Sequence, residues 1–251
     1  MKDIVQSVDR SLELLTVLSN YPRGISIGDL SKNVNLAKST VHRLLNTLVY
    51  KGFVKQNDID NSYKLTFRLF ELGSSIMKDN PLKDAAHLYL EELRNKTGEV
   101  VHLVVPDEAS IIYIDKFDTN QTIRMHSTIG KRSAMYCTSV GKAILSTYSD
   151  ERIKELWNQS EINKLTEYTI TDFDSFMDEI EKIRKLGYAE DNQENELQVR
   201  CFGAAIKDYS KETIGAISIS TPMIRLTEEK IELFKMLVIE YSQRISKELG
   251  Y

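Results

Sequence analysis

A short run of basic and hydroxyl side chains, Lys38-Ser39-Thr40-Val41-His42-Arg43, contains the residue types that bind nucleic acid. Arginine can donate two hydrogen bonds to a guanine edge, whereas serine, threonine and lysine bind phosphate oxygens. Helical spacing places the polar members of this run opposite an apolar stripe that begins at Val41. Two further lysines lie on nearby extended segments. The sequence therefore predicts a DNA-contacting surface made of Lys38, Ser39, Thr40, His42, Arg43, Asn46, Lys55 and Lys64.

Charge is distributed unevenly along the 251 residues, whose formal net charge is -4. Residues 1–80 contain 11 Lys and Arg against 8 Asp and Glu, so the acidic excess lies in the remainder. From Lys32 to Arg68 there are seven basic and two acidic side chains. A basic segment on an acidic protein fits a polyanion site. The same pattern also fits a solvated surface, so the prediction depends on the surrounding elements.

Two helices are predicted before the basic run. Apolar spacing indicates a first helix over residues 7–20, with Val8, Leu12 and Leu15 on its buried face together with Val17 or Leu18. Pro22 and Gly24 end this helix. A second, shorter helix is expected after Ser26, because serine is a preferred residue for capping a helix N-terminus.

The third helix and the segments after it complete a known motif. This helix begins near Ser39, and its predicted buried stripe is Val41, Leu44, Leu45, Leu48 and Val49. Extended segments over residues 53–56 and 63–65 flank a turn of residues that tolerate left-handed backbone. Helix, helix, turn, helix and hairpin in this order predict a winged helix-turn-helix.

Polar side chains in the C-terminal part could bind a small anion. Residues 137–142 begin a predicted helix, whose first N–H groups favour a carboxylate. Ser218 and Ser220 alternate with isoleucines along a strand, so both hydroxyls face one side. The same alternation fits equally well a strand face that is exposed to solvent and binds no ligand. Asp191 lies in the polar run 190–196, which strands rarely tolerate, and it can accept a hydrogen bond from a ligand hydroxyl.

The sequence predicts no catalytic residues, no metal ligands and no cofactor. Gly141-Lys142 is not a phosphate-binding loop, because Ala143 follows where Ser or Thr is required. The four histidines form no i, i+4 pair, and Cys137 and Cys201 are 64 residues apart. Cys201 could act as a nucleophile, but a lone cysteine beside an apolar side chain is more often a small core residue.

Strand pairs among helices predict an α+β fold with a mostly antiparallel sheet for the rest of the chain. The predicted strands are residues 100–105, 111–116, 121–127, 202–206 and 213–220. The predicted helices are residues 67–79, 82–97, 139–147, 173–186 and 226–249. We expect a winged helix-turn-helix domain over residues 1–66, a linker helix over 67–80 and a sensor domain over 81–251.

Composition and cysteine use predict a cytoplasmic protein. Hydrophobic residues make up 41% and charged residues 28%, as in an ordinary globular protein. No stretch reaches the roughly 18 apolar residues that span a bilayer, and the N-terminus lacks the apolar segment of a secretory signal. Two cysteines are too few for a disulfide framework, so we expect reduced thiols. No membrane partner is expected.

Four segments of the first part share the sequence of a known family: Gln6-Ser7-Val8-Asp9-Arg10-Ser11-Leu12, Ala37-Lys38-Ser39-Thr40-Val41-His42-Arg43-Leu44-Leu45, Lys51-Gly52-Phe53-Val54 and Tyr63-Lys64-Leu65. Together they resemble the IclR family of bacterial transcription regulators, whose recognition helix has this basic run. One departure is the wing tip, where Asn61 and Ser62 stand in place of an expected glycine. Because asparagine tolerates positive φ, the turn should form.

The resemblance continues through the second part and covers about Ile4 to Leu249. The segments that carry it are Gly130-Lys131-Arg132, Thr138-Ser139-Val140-Gly141-Lys142-Ala143, Gly187-Tyr188-Ala189, Arg200-Cys201 and Ile217-Ser218-Ile219-Ser220. It implies a GAF-like effector-binding domain. The implied effector-binding residues are Ser133, Ser139, Val140, Gly141, Asp191, Cys201, Ser218 and Ser220. Ser133 and Ser139 stand where a relative that binds small oxo acids has an apolar residue and glycine, which favours a more hydroxylated ligand.

The resemblance implies a transcriptional regulator, more often a repressor than an activator, that binds a double-stranded DNA operator as a dimer or tetramer. Its effector would be a small carboxylic acid, either a 2-oxo acid or a keto-deoxy sugar acid. Two alternatives stay open: a metal- or redox-sensing regulator that uses Cys137 and Cys201, and an enzyme that acts on a small acid with Cys201. The operator, the effector and the sign of regulation also stay open.

Overall fold

The computed structural model of this chain describes residues 3–78, 80–119, 121 and 127–251. The chain divides into two units, Met1–Asp79 and Asn80–Tyr251. The bounds of the elements in the first unit are α1 Gln6–Ser19, α2 Ile27–Asn33, α3 Lys38–Tyr50, β1 Val54–Gln56, β2 Tyr63–Leu65 and α4 Arg68–Met77. The domain limits proposed from the sequence stay predictions.

The first unit has the predicted element order of a winged helix-turn-helix. Strands β1 and β2 pair antiparallel to form the wing. The Ser26 side chain caps α2 by accepting a hydrogen bond from the Asp29 N–H, as its residue type predicts. Asn61 adopts a φ of 55° at the wing tip, so it takes the left-handed conformation in place of glycine.

The core of the first unit joins its first three helices to the wing. Its buried members include Leu14, Leu18, Leu30, Val41, Leu45, Leu48, Val54 and Tyr63. The predicted buried face of α1 is wrong at Val8 and Leu12, which are 55% and 59% exposed, whereas Leu18 is buried and Leu15 packs against the core as predicted. Helix α1 carries apolar side chains on more than one face, and α3 and β2 cover the face that presents Leu14 and Leu18. In α3, Val49 is also exposed.

The second unit is an antiparallel sheet with helices packed against it. Its elements in chain order are α5 Pro81–Thr97, β3 Val100–Asp107, β4 Ser110–Phe117, β5 Arg132–Ala134, α6 Ser139–Leu145, α7 Asp150–Gln159, α8 Phe173–Leu186, β6 Ala189–Asn192, β7 Val199–Lys207, β8 Thr213–Pro222 and α9 Glu228–Glu248. Within the described residues, six strands follow the order β5-β4-β3-β8-β7-β6. The α+β fold is confirmed. The predicted strand over 121–127 lies, apart from its two end residues, outside the described residues.

Helices α6 and α9 cover opposite faces of the sheet at β7. The ring of Phe202 contacts that of Phe234 on α9, with 6.0 Å between ring centroids. The next residue, Gly203, faces α6, where an added Cβ would lie 2.7 Å from the carbonyl carbon of Ser139. Successive strand residues face opposite sides, so glycine lets the start of α6 lie directly on the sheet.

The polar run 190–196 is not expected to form a strand, but its first three residues belong to β6. Within β6, Asp191 pairs with Cys201 of β7. Two features explain the difference. Strand β6 lies at the edge of the sheet, and the Asp191 carboxylate accepts backbone hydrogen bonds from the turn that follows. The polar side chain therefore supports the turn.

Helix α4 differs from the other helices of the first unit, because its described residues include no buried side chain. Phe70 and Ile76 within it are 73% and 77% exposed. In the part of the chain that the structure describes, no helix combines the length and the apolarity needed to cross a bilayer.

Candidate functional site

The predicted DNA-contacting side chains lie on the outer side of α3 and on the wing. On α3 the exposed ones are Lys38, Ser39, His42, Arg43 and Asn46, whereas Thr40 is half-buried. Lys55 and Lys64 are directly opposite each other in the β1–β2 register. The eight side chains thus lie on three elements of one unit, namely α3, β1 and β2.

This surface, which we name the recognition surface, has unpaired positive charge. Among the described residues, no ion pair involves Lys38, Arg43, Lys55 or Lys64. Helix α3 also begins without a side-chain cap at Ala37, so its first N–H groups are available to an anion. Free cations and helix N–H groups at one place suit the phosphates of a nucleic-acid backbone.

A cavity in the second unit receives side chains from every strand of the sheet. We name it the pocket. Seven of the eight predicted effector-binding residues line it: Ser133, Ser139, Val140, Asp191, Cys201, Ser218 and Ser220. Its volume of about 50 Å³ holds a few water molecules or a small ligand, because one water needs roughly 10–15 Å³.

Gly141 is the exception among the predicted pocket residues. It does not belong to the lining, and an added Cβ would lie 2.3 Å from the Cα of Met135. The Gly141 N–H also donates to the Thr138 side chain. Glycine fits this position because α6 packs against the Met135 backbone, and the predicted contact of Gly141 with a ligand stays a prediction.

His102 is a pocket residue that sequence reasoning missed. Its Nδ1 lies 3.3 Å from the Ser218 hydroxyl and 3.4 Å from that of Ser220, and its Nε2 lies 2.7 Å from the Ser127 hydroxyl. Burial lowers the pKa of His102 to about 3, so its imidazole is neutral. The serines therefore face inward, and the exposed-strand alternative is wrong for both.

Other pocket residues were also missed because they lie far apart in the sequence. Tyr113 packs edge-on against His102 with 5.1 Å between ring centroids. Burial raises the pKa of Tyr113 far above its ordinary value, so its hydroxyl stays a hydrogen-bond donor. Lys131 contributes a cation to the lining, and Asn195 and Glu196 contribute polar groups. Strand pairing, together with the segments next to β5 and β6, brings these residues together.

Asp191 is the acidic group buried in the pocket wall. Its Oδ1 accepts hydrogen bonds from the N–H groups of Glu194 at 2.8 Å and Asn195 at 3.3 Å. Burial, followed by the negative charge of Glu194, raises the pKa of Asp191 to about 7, and the positive charge of Lys142 opposes this change. Near neutral pH this carboxyl group can therefore either donate or accept a hydrogen bond.

Both cysteines have the properties of unreactive thiols. Burial raises the pKa of Cys137 to about 12 and raises that of Cys201 well above its ordinary value. Because the thiolate is the reactive and metal-binding form, these environments do not favour nucleophilic, redox or metal chemistry. Within the described residues, no group of three or more His, Cys, Asp or Glu side chains is placed to hold a metal ion.

Two family descriptions match separate parts of the chain. Residues 7–58 match the IclR helix-turn-helix domain, and residues 74–247 match the bacterial transcriptional regulator IclR C-terminal domain. Together they cover the recognition surface on α3 and the pocket.

The chain belongs to the IclR family.

Full-length relatives agree with this assignment. The chain is 35% identical over 249 residues to the HTH-type transcriptional regulator KdgR of Escherichia coli, which covers 99% of this chain and 94% of the relative. It is 30% identical over 248 residues to the transcriptional repressor IclR of Escherichia coli, covering 98% and 90%. The crystal structure of Thermotoga maritima IclR has a TM-score of 0.79 at 34% identity, covering 98% of this chain and 99% of that one.

As an IclR-family member, this chain is a DNA-binding transcriptional regulator. These relatives are named as regulators and not as enzymes, so the alternative of a Cys201-dependent enzyme is wrong.

Proposed function

We propose that this regulator is a cytoplasmic repressor whose affinity for its operator is controlled by a small carboxylic acid bound in the pocket. The observation that supports the proposal is that seven of the eight predicted ligand contacts, Asp191 among them, line one cavity. A concave site with a few convergent polar groups and a carboxyl group of raised pKa is typical of a small-molecule site.

The chemistry of the lining favours an acid that also carries hydroxyl or keto oxygens. Lys131 and the first N–H groups of α6, at Ser139 and Val140, can neutralise and bind a carboxylate. Ser218, Ser220 and Asp191 can exchange hydrogen bonds with hydroxyl groups. We therefore propose a 2-oxo acid or a keto-deoxy sugar acid. The volume of about 50 Å³ suits the smaller acids directly and requires the pocket to widen for a six-carbon acid.

Regulation would follow from linkage between two binding sites. An effector changes operator affinity only as far as it binds one arrangement of the protein more tightly than another. Helix α4 follows the wing and precedes the second unit in the chain, which makes it the natural transmitter. Each recognition surface would read one half-site, so we propose an even oligomer, a dimer or a tetramer, on a pseudo-palindromic operator.

The proposal is tested by thermal unfolding of the full-length protein with pyruvate, glyoxylate and 2-keto-3-deoxygluconate. A ligand that binds the folded state alone raises the unfolding midpoint by mass action. We expect at least one acid to raise the midpoint of the wild type and not that of Asp191→Ala, and to change binding to operator DNA selected from random sequences. No shift with any acid, or an equal shift in the variant, would contradict the proposed effector class or site.

A further inference from the structure

Lys142 is a cation with no exposed surface, close to the pocket but outside its lining. It lies on α6, two positions beyond Val140. Its ammonium group pairs with the carboxylate of Glu194 and lies 3.4 Å from Oε1 of Glu179. Because desolvation offsets the attraction, a buried ion pair is weak support for stability. The position of this pair suggests a role connected with the pocket.

The backbone of Glu194 holds Asp191 while its side chain holds Lys142. The Glu194 N–H donates to Asp191 Oδ1 at 2.8 Å, and its carbonyl oxygen accepts a hydrogen bond from Thr169 Oγ1 at 2.6 Å. The next N–H, that of Asn195, donates to the same Asp191 oxygen. Since Asp191 and Asn195 both line the pocket, fixing Glu194 fixes one wall of it.

Lys142 and Glu194 shift the pKa of Asp191 in opposite directions. The negative charge of Glu194 raises the pKa of Asp191, whereas the positive charge of Lys142 lowers it. Further titratable or charged groups surround the same carboxyl from the other elements: Tyr113 on β4, Cys137 before α6, Glu196 after β6, Cys201 on β7, and His102 and Lys131 in the pocket lining. Of these, only Lys131 and Glu196 are charged residue types at neutral pH.

We propose that Lys142 and Glu194 are positioning residues that orient Asp191 and set whether its carboxyl group is charged when an acid binds. A protonated Asp191 can donate a hydrogen bond to an oxygen of a bound acid, whereas an ionised Asp191 repels the negative charge of that acid. The pair thereby tunes effector affinity although neither side chain lines the pocket. The ligand's identity rests on the proposed function, but the state of Asp191 does not.

The first test measures the titration of Asp191 in full-length protein without any ligand. Carbon-13 labelled aspartate carboxyls are followed by NMR, and Asp191→Asn assigns the signal. Glu194→Gln preserves shape and removes a negative charge, so the Asp191 midpoint should fall by about one pH unit. Glu99→Gln is the matched control, because Glu99 is a buried carboxylate paired with Arg225 outside the pocket lining. An unchanged midpoint in Glu194→Gln would overturn the proposal.

The second test measures affinity for pyruvate and for 2-keto-3-deoxygluconate by calorimetry. The double variant Lys142→Met/Glu194→Met removes both charges, so it should fold, and it should weaken acid binding about tenfold. The control Arg225→Met/Glu99→Met removes another buried pair and should retain wild-type affinity. Equal losses in both would mean general destabilisation and would refute a positioning role.

The two tests separate this inference from the proposed function. If the wild type binds neither acid, the proposed effector class fails, and the Asp191 titration still decides the inference. If the double methionine variant does not fold, Glu194→Gln replaces it in the binding measurement.

Discussion

The two candidate sites of this chain handle charge in opposite ways. On the recognition surface, Lys38 and Arg43 are exposed and form no ion pair within the described residues. In and behind the pocket, Lys142, Glu194 and Asp191 are buried and held by one another. The phosphates of a polyanion can neutralise exposed cations on a surface in water. In a low-dielectric cavity, by contrast, charged groups must be paired within the protein before a small acid binds. Substitutions in the two regions should therefore differ in the size of their effects and in the property that they change, which is stability, DNA binding or acid binding.

The largest expected effect is on the pH dependence of stability in the second unit. The pKa of Asp191 rises from 3.8 to about 7 on folding, so between these values the folded state binds more protons than the unfolded state. The unfolding free energy should therefore fall as pH rises through this window, by on the order of 4 kcal/mol. Asp191→Asn should remove this part of the pH dependence.

Urea unfolding followed by Trp157 fluorescence measures this effect, because Trp157 is the single tryptophan of the chain and lies in the second unit. Asp29→Asn is the control, since Asp29 is an exposed carboxyl of the first unit. Parallel curves for the wild type and Asp191→Asn between pH 4 and 7 would show that the Asp191 pKa is not raised.

Gly141→Ala should produce the next largest effect. The new methyl group would lie within 2.4 Å of the Met135 carbonyl oxygen, which is backbone and cannot swing away. We expect a loss of about 3 kcal/mol in the unfolding free energy of the second unit, read from Trp157. Gly73→Ala in α4 is the matched change, because nothing lies within 4 Å of its added Cβ. It should stabilise its helix by up to about 1 kcal/mol.

Arg43→Ala should weaken specific DNA binding by about 1–3 kcal/mol if this side chain reads a base edge. Affinity for an acid effector should stay unchanged. Fluorescence anisotropy on operator and scrambled DNA separates the possibilities, because an equal loss on both would make Arg43 a phosphate contact. Lys32→Ala is the control, since Lys32 already pairs with Asp29 at 3.2 Å. A loss of the effector response in Arg43→Ala would contradict the separation of the two sites.

The smallest expected effect is that of Ser218→Ala. This variant removes one hydroxyl from the pocket and leaves His102 its contacts with Ser220 and Ser127. We expect about 1 kcal/mol weaker acid binding and unchanged DNA binding. Ser210→Ala, which removes a hydroxyl at the β7–β8 turn, should leave both unchanged. An equal effect of the two variants on acid binding would remove Ser218 from the site.

The sequence predicts the structure correctly where the physical signal is local. The bounds of α8 were predicted as observed, because Asp172 caps its start and Gly187 takes a φ of 79° at its end. The element order of the first unit follows from similar signals in short helices and a short hairpin. Polar faces on such helices also predict which side chains solvent can reach, which is why five of the six predicted residues on α3 are exposed.

The sequence does not predict contacts that depend on long-range strand pairing. His102 contacts Ser218, which lies 116 residues later in the sequence, through the register of β3 and β8. No local pattern around His102 indicates this contact. The helix α7 was missed because it is mostly polar and buries only Ile153 and Leu156. The pocket residues were found through family resemblance, and seven of eight meet around one cavity, but their contact with a ligand stays a prediction.

The wing hairpin also affects how strongly DNA binding depends on salt concentration. Lys55 and Lys64 lie directly opposite each other across β1 and β2, an arrangement that repels in the free protein. If phosphates take up both charges, each contact releases condensed counterions from the DNA, and the logarithm of affinity falls with that of salt concentration by about 0.9 per phosphate. Replacing either lysine by glutamine would then flatten that slope by about one and relieve the repulsion in the unbound hairpin. The paired lysines would thus lower the stability of the free wing and make DNA binding depend more steeply on ionic strength.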